Sequence, residues 1–544
     1  MNHAKSAPRI AIIGVGPRGL GALEALAEKL PPDDAPLTIN LFDPFPACGA
    51  GPNFDPQESP SCLLNIPIRD IAIRAPTFLR CGNFAEWLSE TPDPDSFPTR
   101  ADLGRYLEAR LEDVLDHDSL HVSRSTKPVE AIDHTDDGWM LRVDGQQHGP
   151  YAEVLLTLGQ PDVVPDDQWA EWQDHTQNAA GTLANAYPAW QLQDAAAGWS
   201  GQVVAIRGLA LSAFDIIRVL TQAQGGVFAD GGYQPSGREP ASILPFSLDG
   251  KPPFPKPATE ALDARFTPRP EETEAFSVAI TEAANVTPDS VPYLINTALI
   301  PVVTRIQQEC GAPTDPQDVA DWLDTEWSAP GDQETGGAHA VLQQGIALAE
   351  GATPPTIGYT IGQIWRKWQD QLRVGYNPAE TPPETAKVIV GFDEGMKRYS
   401  YGPPLSSALE LAALNDAGIV DLDYTADPDI ALVEAGWTLT CDGQVQTASV
   451  MIDAVMPAPD LEKITAPLVN ALLKSGQLHP ISEGFGANIA ADGSLIAEDG
   501  NIAPGLCLLG RLALGSVIAV DSLHDCFGAA SDRWAEGVVG RLGN

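Results

Sequence analysis

Gly14, Gly16 and Gly19 stand in the order G-x-G-x-x-G, and no other spacing in this 544-residue chain points so directly to chemistry. Such a spacing serves a dinucleotide. The first glycine permits a tight turn, the second lets the backbone approach a pyrophosphate, and the third lets a helix pack closely on a strand. Pro17 and Arg18 fill the interval, and the helix that begins there offers unpaired N–H groups to a diphosphate. Asp43 lies where a carboxylate can bond both ribose hydroxyls. A degraded second copy, Gly208-Leu-Ala210-Leu-Ser212-Ala213, keeps one glycine of three. A methyl group at its middle position narrows the gap for a pyrophosphate, while Arg207 before the turn offers charge in its place. A nucleotide site and a purely structural crossover both stay open for this second turn.

The other usual instruments of catalysis are missing. The seven cysteines are scattered without a C-x-x-C, and the nine histidines show no H-E-x-x-H. There is no Walker A loop and no G-x-S-x-G, so no metal site is expected and the chemistry falls to an organic cofactor. The cysteines read as reduced, mostly buried thiols of a cytoplasmic protein. His524, in the apolar stretch from Val520 to Phe527, reads as a packed or capping residue. With 74 acidic against 32 basic residues the formal charge is −42, which argues against nucleic acid as a partner. No apolar run approaches the ~18–20 residues of a membrane span, and Met1 to Pro8 lacks the apolar stretch of a signal peptide. The acidity itself reads as solvated surface. Anionic ligands must then bind against the global field, so arginines inside motifs gain weight as site candidates.

The elements that must position these residues follow from periodicity. The apolar run Arg9 to Val15 predicts a strand, and Leu20, Leu23, Ala27 and Leu30 predict one face of the next helix. Leu37 to Asp43 predicts a second strand, completing a βαβ unit. Short strands are expected at His121–Ser123, Glu130–Ile132, Trp139–Val143 and Val154–Thr157, as a small meander whose last member ends in a turn at Gly159. A second βα unit runs from Gln202–Ile206 into a helix with Phe214, Ile217 and Leu220, and 241–246 is its expected partner strand. Residues 255–415 read as mainly helical, with Pro-rich joints near 252–257, 353–355 and 378–384. Strands return at Ile419–Tyr424, Trp437–Thr440 and Ala448–Ile452. A buried strand at Leu506–Leu509 then ends in Gly510-Arg511, followed by a helix to about Leu542.

These pieces in this order resemble the bacterial FAD/NAD(P)-binding protein family. That family is distantly related to flavin-dependent N-hydroxylating monooxygenases, including nitrosuccinate-forming aspartate N-monooxygenases. The likeness is carried by Ile13–Leu20, Phe42–Pro46 with Gly49-Ala-Gly51, Leu63–Pro67, Phe97–Arg100 with Gly104–Leu107, Ser236–Pro240, and Lys397–Pro404. It covers nearly the whole chain. It implies an α/β fold of two Rossmann-like dinucleotide-binding domains interleaved in sequence, each with a β-meander, plus a mainly helical insertion. The expected parts are an FAD domain at 1–165, a second Rossmann-like half at 166–257, a helical substrate lobe at 258–415, a meander completing the second domain at 416–460, and a return to the FAD domain at 461–544.

The resemblance implies FAD at Gly14, Gly16, Pro17, Arg18, Gly19 and Asp43, closed by Gly159, Gly510 and Arg511, and NAD(P)H at Gly208 and Ser212. Asn65, the one amide in an apolar run, is a candidate for the flavin ring or nicotinamide, and it stands with Lys397 and Arg398 as a catalytic candidate. Arg69, Arg74, Arg100 and Tyr106 are substrate candidates, and Arg80 belongs to the same arginine series. Relatives often carry Ser-Arg-x-Gly where this chain has Ser247-Leu-Asp-Gly250. The lost arginine removes a bidentate partner for a 2′-phosphate and leaves NADPH against NADH open. The implied activity is a monooxygenase in which reduced flavin and O2 form a flavin hydroperoxide that a small amine or amino acid attacks. The alternatives are a flavin oxidase or dehydrogenase without oxygenation, and a non-catalytic flavin-binding sensor or assembly protein. Substrate identity and oligomeric state are not legible.

Overall fold

The computed structural model describes residues 8–30, 36–88, 91–229 and 231–543. Residues 1–7, on which the expectation about a leader segment rests, lie outside the described residues.

Runs of consecutive apolar residues make the first sheet, because parallel strands are covered on both faces. The strands are β1 (Arg9–Ile13), β2 (Leu37–Phe42), β3 (Leu120–Ser125), β4 (Val129–Thr135), β5 (Gly138–Val143), β6 (Gln146–Tyr151) and β7 (Glu153–Leu156) in the first third of the chain. They continue as β8 (Thr182–Asn185), β9 (Val203–Arg207), a small hairpin of β10 (Val227–Ala229) and β11 (Gly232–Gln234), and β12 (Ser242–Phe246). The last are β13 (Asp429–Val433), β14 (Gly436–Cys441), β15 (Gln444–Ala448), β16 (Val450–Asp453), β17 (Ser494–Ile496) and β18 (Ile502–Leu508).

A six-stranded sheet has the order β17-β18-β7-β1-β2-β3. Its centre is buried throughout: Ile10, Ala11, Ile12, Val154, Leu155, Leu156 and Leu506 are at most 1% exposed. The last strand of the chain thus returns to the first sheet, with Leu506–Leu508 running parallel to Val154–Leu156. His121–Ser123 corrects one expectation, since β3 is not part of the meander but the parallel neighbour of β2. The meander is β4-β5-β6. Its edge strand β6, Gln-Gln-His-Gly-Pro-Tyr, escaped sequence reading because Gly149 and Pro150 are turn residues that only an edge strand tolerates.

The second sheet, β12-β9-β16-β8, is parallel throughout. Beside it β13-β14-β15 forms a second meander, the echo expected from the sequence. Ile419–Tyr424 is not a strand. Val420 makes a single bridge to Ile243, and Leu422–Tyr424 is a 3-10 turn in which the Asp421 carboxylate accepts the Asp423 N–H at 2.9 Å, a local bond that competes with sheet pairing. The run Ala448–Ile452 is divided at Ser449 between the meander and the parallel sheet.

The helices are α1 (Pro17–Lys29), α2 (Phe84–Trp87), α3 (Arg100–Leu115), α4 (Asp167–Thr176), α5 (Ala189–Ala196) and α6 (Leu211–Leu220). The expected helical lobe holds α7 (Glu260–Asp263), α8 (Pro270–Ala283), α9 (Val291–Glu309), α10 (Pro316–Ser328), α11 (Ala338–Ala349), α12 (Ile357–Lys367), α13 (Gln369–Tyr376), α14 (Pro383–Ser400) and α15 (Leu405–Asp416). α16 (Pro467–Lys474), α17 (Leu523–Cys526) and α18 (Ala529–Leu542) close the chain. One face of the first sheet is covered by apolar residues of α1, α3 and α18, the other by the first meander. A fully buried ion pair, Arg110 Nη2 to Glu24 Oε2 at 2.5 Å, joins α3 to α1. None of the described helices is long and apolar enough to cross a membrane. All seven cysteines are free thiols.

Candidate functional site

The turn after β1 is built as its glycines demand. Gly14 has φ +88°, and a Cβ there would overlap the carbonyl of Thr157 at the end of β7. A Cβ on Gly19 would overlap Gly14 O, so the close approach of α1 to the turn requires glycine. Gly16 is the N-cap of α1 with no side-chain capping bond and Pro17 in the first turn, leaving the leading N–H groups for an anion. Opposite it stands Gly51, and a Cβ on Gly51 would lie 3.2 Å from Gly16 Cα. The two glycines therefore approach backbone to backbone beside the α1 N-terminus, and neither puts a side chain over its free N–H groups, as a pyrophosphate site requires. Asp43 follows β2 as expected. Its Oδ2 accepts the Val15 N–H at 2.6 Å and its Oδ1 the Phe45 N–H at 2.8 Å, which leaves each oxygen one further acceptor direction for a ribose hydroxyl. Burial holds this carboxyl above the usual carboxylate range despite the two N–H donors.

The Arg18 side chain is committed elsewhere, while its N–H stays in the uncapped first turn of α1. Its buried guanidinium donates to the backbone oxygen of Asp525 at 2.5 Å and pairs with the Asp525 carboxylate, so it fastens α1 to the C-terminal segment instead of reaching toward a phosphate. Gly510, with φ +100°, lies next to it, and a Cβ there would sit 3.5 Å from Arg18 Nε. Gly159 is exposed, has φ +64°, and borders open space. Arg511 acts as a clamp at this junction. It donates to Gln160 Oε1 at 2.8 Å, Asp521 Oδ1 at 2.6 Å and Pro457 O at 3.0 Å, which ties the Gly159 turn, the end of the second sheet and the C-terminal loop together. Lys397 shares Asp521, at 2.6 Å, and also meets Glu394 at 2.7 Å. Burial disfavours its ammonium, but Asp521 and Glu394 outweigh that and hold its pKa above the usual lysine range. The Lys397 ammonium is thus held between two carboxylates.

Burial also works against ionisation of Asp521, yet Lys397 and Arg511 hold its carboxyl below the usual range. Its contribution to stability is therefore present above the unfolded pKa of about 4 and is lost as pH falls through the lower folded value. Asp521→Asn keeps the shape and removes this charge. Urea unfolding at pH 7 is expected to show a loss of roughly 1–3 kcal/mol, with wild type and variant converging in strong acid.

Asn65 sits on an extended segment held against residues 94–99 by Leu64 N–H to Pro98 O at 2.9 Å and Ile68 N–H to Ser96 O at 2.9 Å. Asn65 lines a narrow cavity with Leu63, Arg100, Phe214, Asp215 and Pro403. Three stretches singled out in the sequence, Leu63–Pro67, Arg100 and Pro403–Pro404, thus meet the first turns of α6. Arg100 is neutralised there by Asp215 at 3.0 Å, which also accepts the Tyr187 hydroxyl at 2.7 Å.

Behind Asn65 lies a residue that sequence reading missed. Lys256 is 6% exposed and donates to the backbone oxygen of Asn65. Burial and the neighbouring Arg366 push its pKa down to about 7, against Asp70 and Asp263. Around it Arg69 pairs with Asp95 and lies 3.8 Å from Asp70. Arg366 meets Asp70 at 3.7 Å and Asp263, and Lys367 meets Asp263 at 2.5 Å. Four cations face three carboxylates in a chain of net charge −42. The one available signal was a lysine between Pro255 and Pro257, in a stretch read only as a joint.

Other candidates are placed elsewhere. Arg74 makes a partly exposed pair with Glu28 and Asp532 at 3.1 and 3.0 Å, and Arg80 one with Asp113 and Asp116. Tyr106 is a core residue whose hydroxyl donates to Gly82 O at 2.8 Å. Arg398 reaches into the helical lobe to Glu326 at 2.6 Å. His524 is a packing residue, as expected: its Nε2 meets Asp70 O at 2.8 Å, and burial lowers its pKa.

The second turn repeats the first. Gly208 has φ +116°, and a Cβ there would press on Ala454 at 3.2–3.3 Å. α6 starts at Ala210 with no side-chain capping bond and with Ser212 half-buried in its first turn, so a second uncapped helix N-terminus is available to a phosphate. Arg207 does not supply its charge, being paired with Asp166 and Asp453. Among the described residues no group of His, Cys, Asp and Glu is arranged to hold a metal ion.

Comparison with known proteins agrees with this geometry. A family model described as FAD-NAD(P)-binding matches residues 11–161. The nitrosuccinic acid synthase npaA of Aspergillus oryzae is 30% identical over 253 residues, 42% of this chain and 38% of that protein. A nitrosuccinate-forming L-aspartate N-monooxygenase of Streptomyces cremeus is 26% identical over 86% of this chain and 83% of its own length. The chain thus spans less than half of the first of these relatives and most of the second. The ornithine N-hydroxylase of Kutzneria sp. 744 superposes with a TM-score of 0.51 at 13% identity, over 98% of this chain and 100% of that one. Residues 11–161 thus match the FAD-NAD(P)-binding family model, on a chain that shares the fold of an ornithine N-hydroxylase.

Proposed function

We propose that this chain is an FAD-dependent monooxygenase that uses NAD(P)H and O2 to hydroxylate the amine of a small, carboxylate-bearing amino acid in the cytoplasm. One observation carries the reading: a cation-rich cluster, with Lys256 bonded to the Asn65 backbone, is gathered in a chain that also holds a glycine-built dinucleotide turn. The likeness to enzymes named for L-aspartate N-oxygenation supports it. FAD, when bound, supplies the activation of oxygen. The chain's own residues bind and exclude water. The α1 N-terminus with Gly16 and Gly51 receives the pyrophosphate, and Asp43 receives the ribose. The Arg511–Asp521–Lys397 clamp closes the junction against solvent. Arg69, Lys256 and Arg366 then hold a carboxylate of the substrate by charge-assisted bonds.

The reading is tested with purified holoprotein in an oxygen electrode. Oxygen uptake and nicotinamide oxidation should rise on adding a dicarboxylic amino acid, and the recovered product should have gained one oxygen atom by mass. Peroxide release that no amino acid or amine suppresses would instead establish an oxidase. Protein without affinity for flavin would overturn the reading altogether.

A further inference from the structure

We propose that the second dinucleotide site selects NADH over NADPH, with Asp249 as the specificity-determining residue. The inference rests on the reading above that this βαβ unit takes a nicotinamide dinucleotide. The two βαβ units correspond residue by residue. In the first, Ile13 pairs with Phe42 and Gly14 N–H donates to Phe42 O at 2.8 Å. In the second, Arg207 pairs with Phe246 and Gly208 N–H donates to Phe246 O at 2.7 Å. Ser247 therefore occupies the place of Asp43, the position from which a side chain meets the ribose next to the glycine turn.

A serine there would leave room for a 2′-phosphate if a cation followed, but the structure offers an acid instead. Ser247 Oγ donates to Asp249 Oδ1 at 2.7 Å, and the same oxygen lies 3.3 Å from the Lys251 N–H, so the carboxylate is held beside the hydroxyl. Asp249 is exposed. Leu248, between them, is 88% exposed and brings no charge. Asp427, whose N–H donates to Ser247 O at 3.0 Å, is a second exposed acid at this strand end. The nearby cations are committed elsewhere, since Lys251 Nζ lies 3.4 Å from Gly331 O in the helical lobe and Arg207 is paired with Asp166 and Asp453. A ribose 2′-hydroxyl can donate to Asp249, whereas a 2′-phosphate would meet two carboxylates without a partner.

The test uses FAD-loaded protein and measures dissociation constants for NAD+ and NADP+ by calorimetry, alongside anaerobic flavin reduction by NADH and NADPH. NAD+ should bind tighter by roughly 10-fold or more, and NADH should reduce the flavin with the same preference. Asp249→Ser should narrow the ratio mainly by weakening NAD+. The double variant Leu248→Arg/Asp249→Ser should reverse it, and the exposure of both side chains leaves the fold intact. Equal or tighter binding of NADP+ by the wild type, a ratio unmoved by Asp249→Ser, or binding of neither nucleotide to the FAD-loaded protein would each overturn the proposal. A clear NAD+ preference in a protein that hydroxylates no amine would instead sink the monooxygenase reading and leave this one standing.

Discussion

Gly16→Val is expected to give a folded but colourless protein. Gly16 has φ −80° and ψ −165°, a conformation open to any residue, and a Cβ there would meet only Gly51 Cα at 3.7 Å, an ordinary contact. The fold therefore tolerates a side chain. The cradle does not, because the two further methyl groups of valine fill the gap in front of the α1 N-terminus. Overlap with a pyrophosphate, together with the loss of N–H contacts to a charged group, removes roughly 3 kcal/mol or more, so FAD affinity should fall at least about 100-fold. Flavin absorbance per mole of purified protein reads the loss, and far-UV circular dichroism with thermal unfolding of the flavin-free wild type provides the control for folding. Undiminished flavin content in this variant would place the pyrophosphate elsewhere. Gly14→Ala is the wrong probe for this purpose, since its methyl would collide with Thr157 O and destabilise the sheet itself.

Lys256→Met should raise the KM for a carboxylate-bearing substrate by about 30-fold or more, as expected when a buried charged partner worth ~2–5 kcal/mol is removed. FAD content and amine-independent nicotinamide oxidation should change little. The side chains are of similar length, and Lys256 makes its hydrogen bond to a backbone oxygen and not to a carboxylate, so the variant leaves no acid stranded. The pH dependence has a definite sign. The Lys256 pKa is lowered from 10.5 to about 7 by burial. Between those values the unfolded chain carries a proton that the folded protein lacks. Wild-type stability therefore rises with pH across this window, by up to about 1.4 kcal/mol per unit. The variant should lose that slope and be the more stable of the two at pH 6. Substrate binding should show the opposite trend. The ammonium that receives a carboxylate is depleted above about pH 7, so the wild-type KM should climb there while that of the variant stays flat. An unchanged KM would confine Lys256 to a structural role in holding the Leu63–Pro67 segment.

The two glycine turns, the helices after them and the strands before them were legible in the sequence, as was the return of the last strand to a Gly-Arg pair. These features are local. A left-handed φ at Gly14 or a continuous apolar run at Ile10–Ile13 depends on neighbours a few residues away, and the side-chain chemistry admits few substitutes. The misread strands share the converse property. The edge strand Gln146–Tyr151 pairs despite its turn residues, whereas Ile419–Tyr424, read as a strand, makes one bridge and turns at Asp421; which segment lies alongside decides both.

The scarcity of cations in an acidic chain was a sound reason to suspect the motif arginines, but it did not say which ones face a ligand. With more than two carboxylates for every lysine or arginine, most cations find an acid, and the tertiary structure chooses which. It turned Arg18 to Asp525, Arg511 to Asp521 and Arg398 to Glu326. It gathered Arg69, Lys256, Arg366 and Lys367 from segments up to some three hundred residues apart, into a cluster that no spacing announces. The sequence by itself determined the glycine turn and uncapped helix start at Gly14–Gly19, because such a turn is made of backbone, and backbone conformation is set by local residue types. Only the tertiary structure decided which cations gather and which acids they meet, because the pairing of charges depends on distance in space and not on order along the chain.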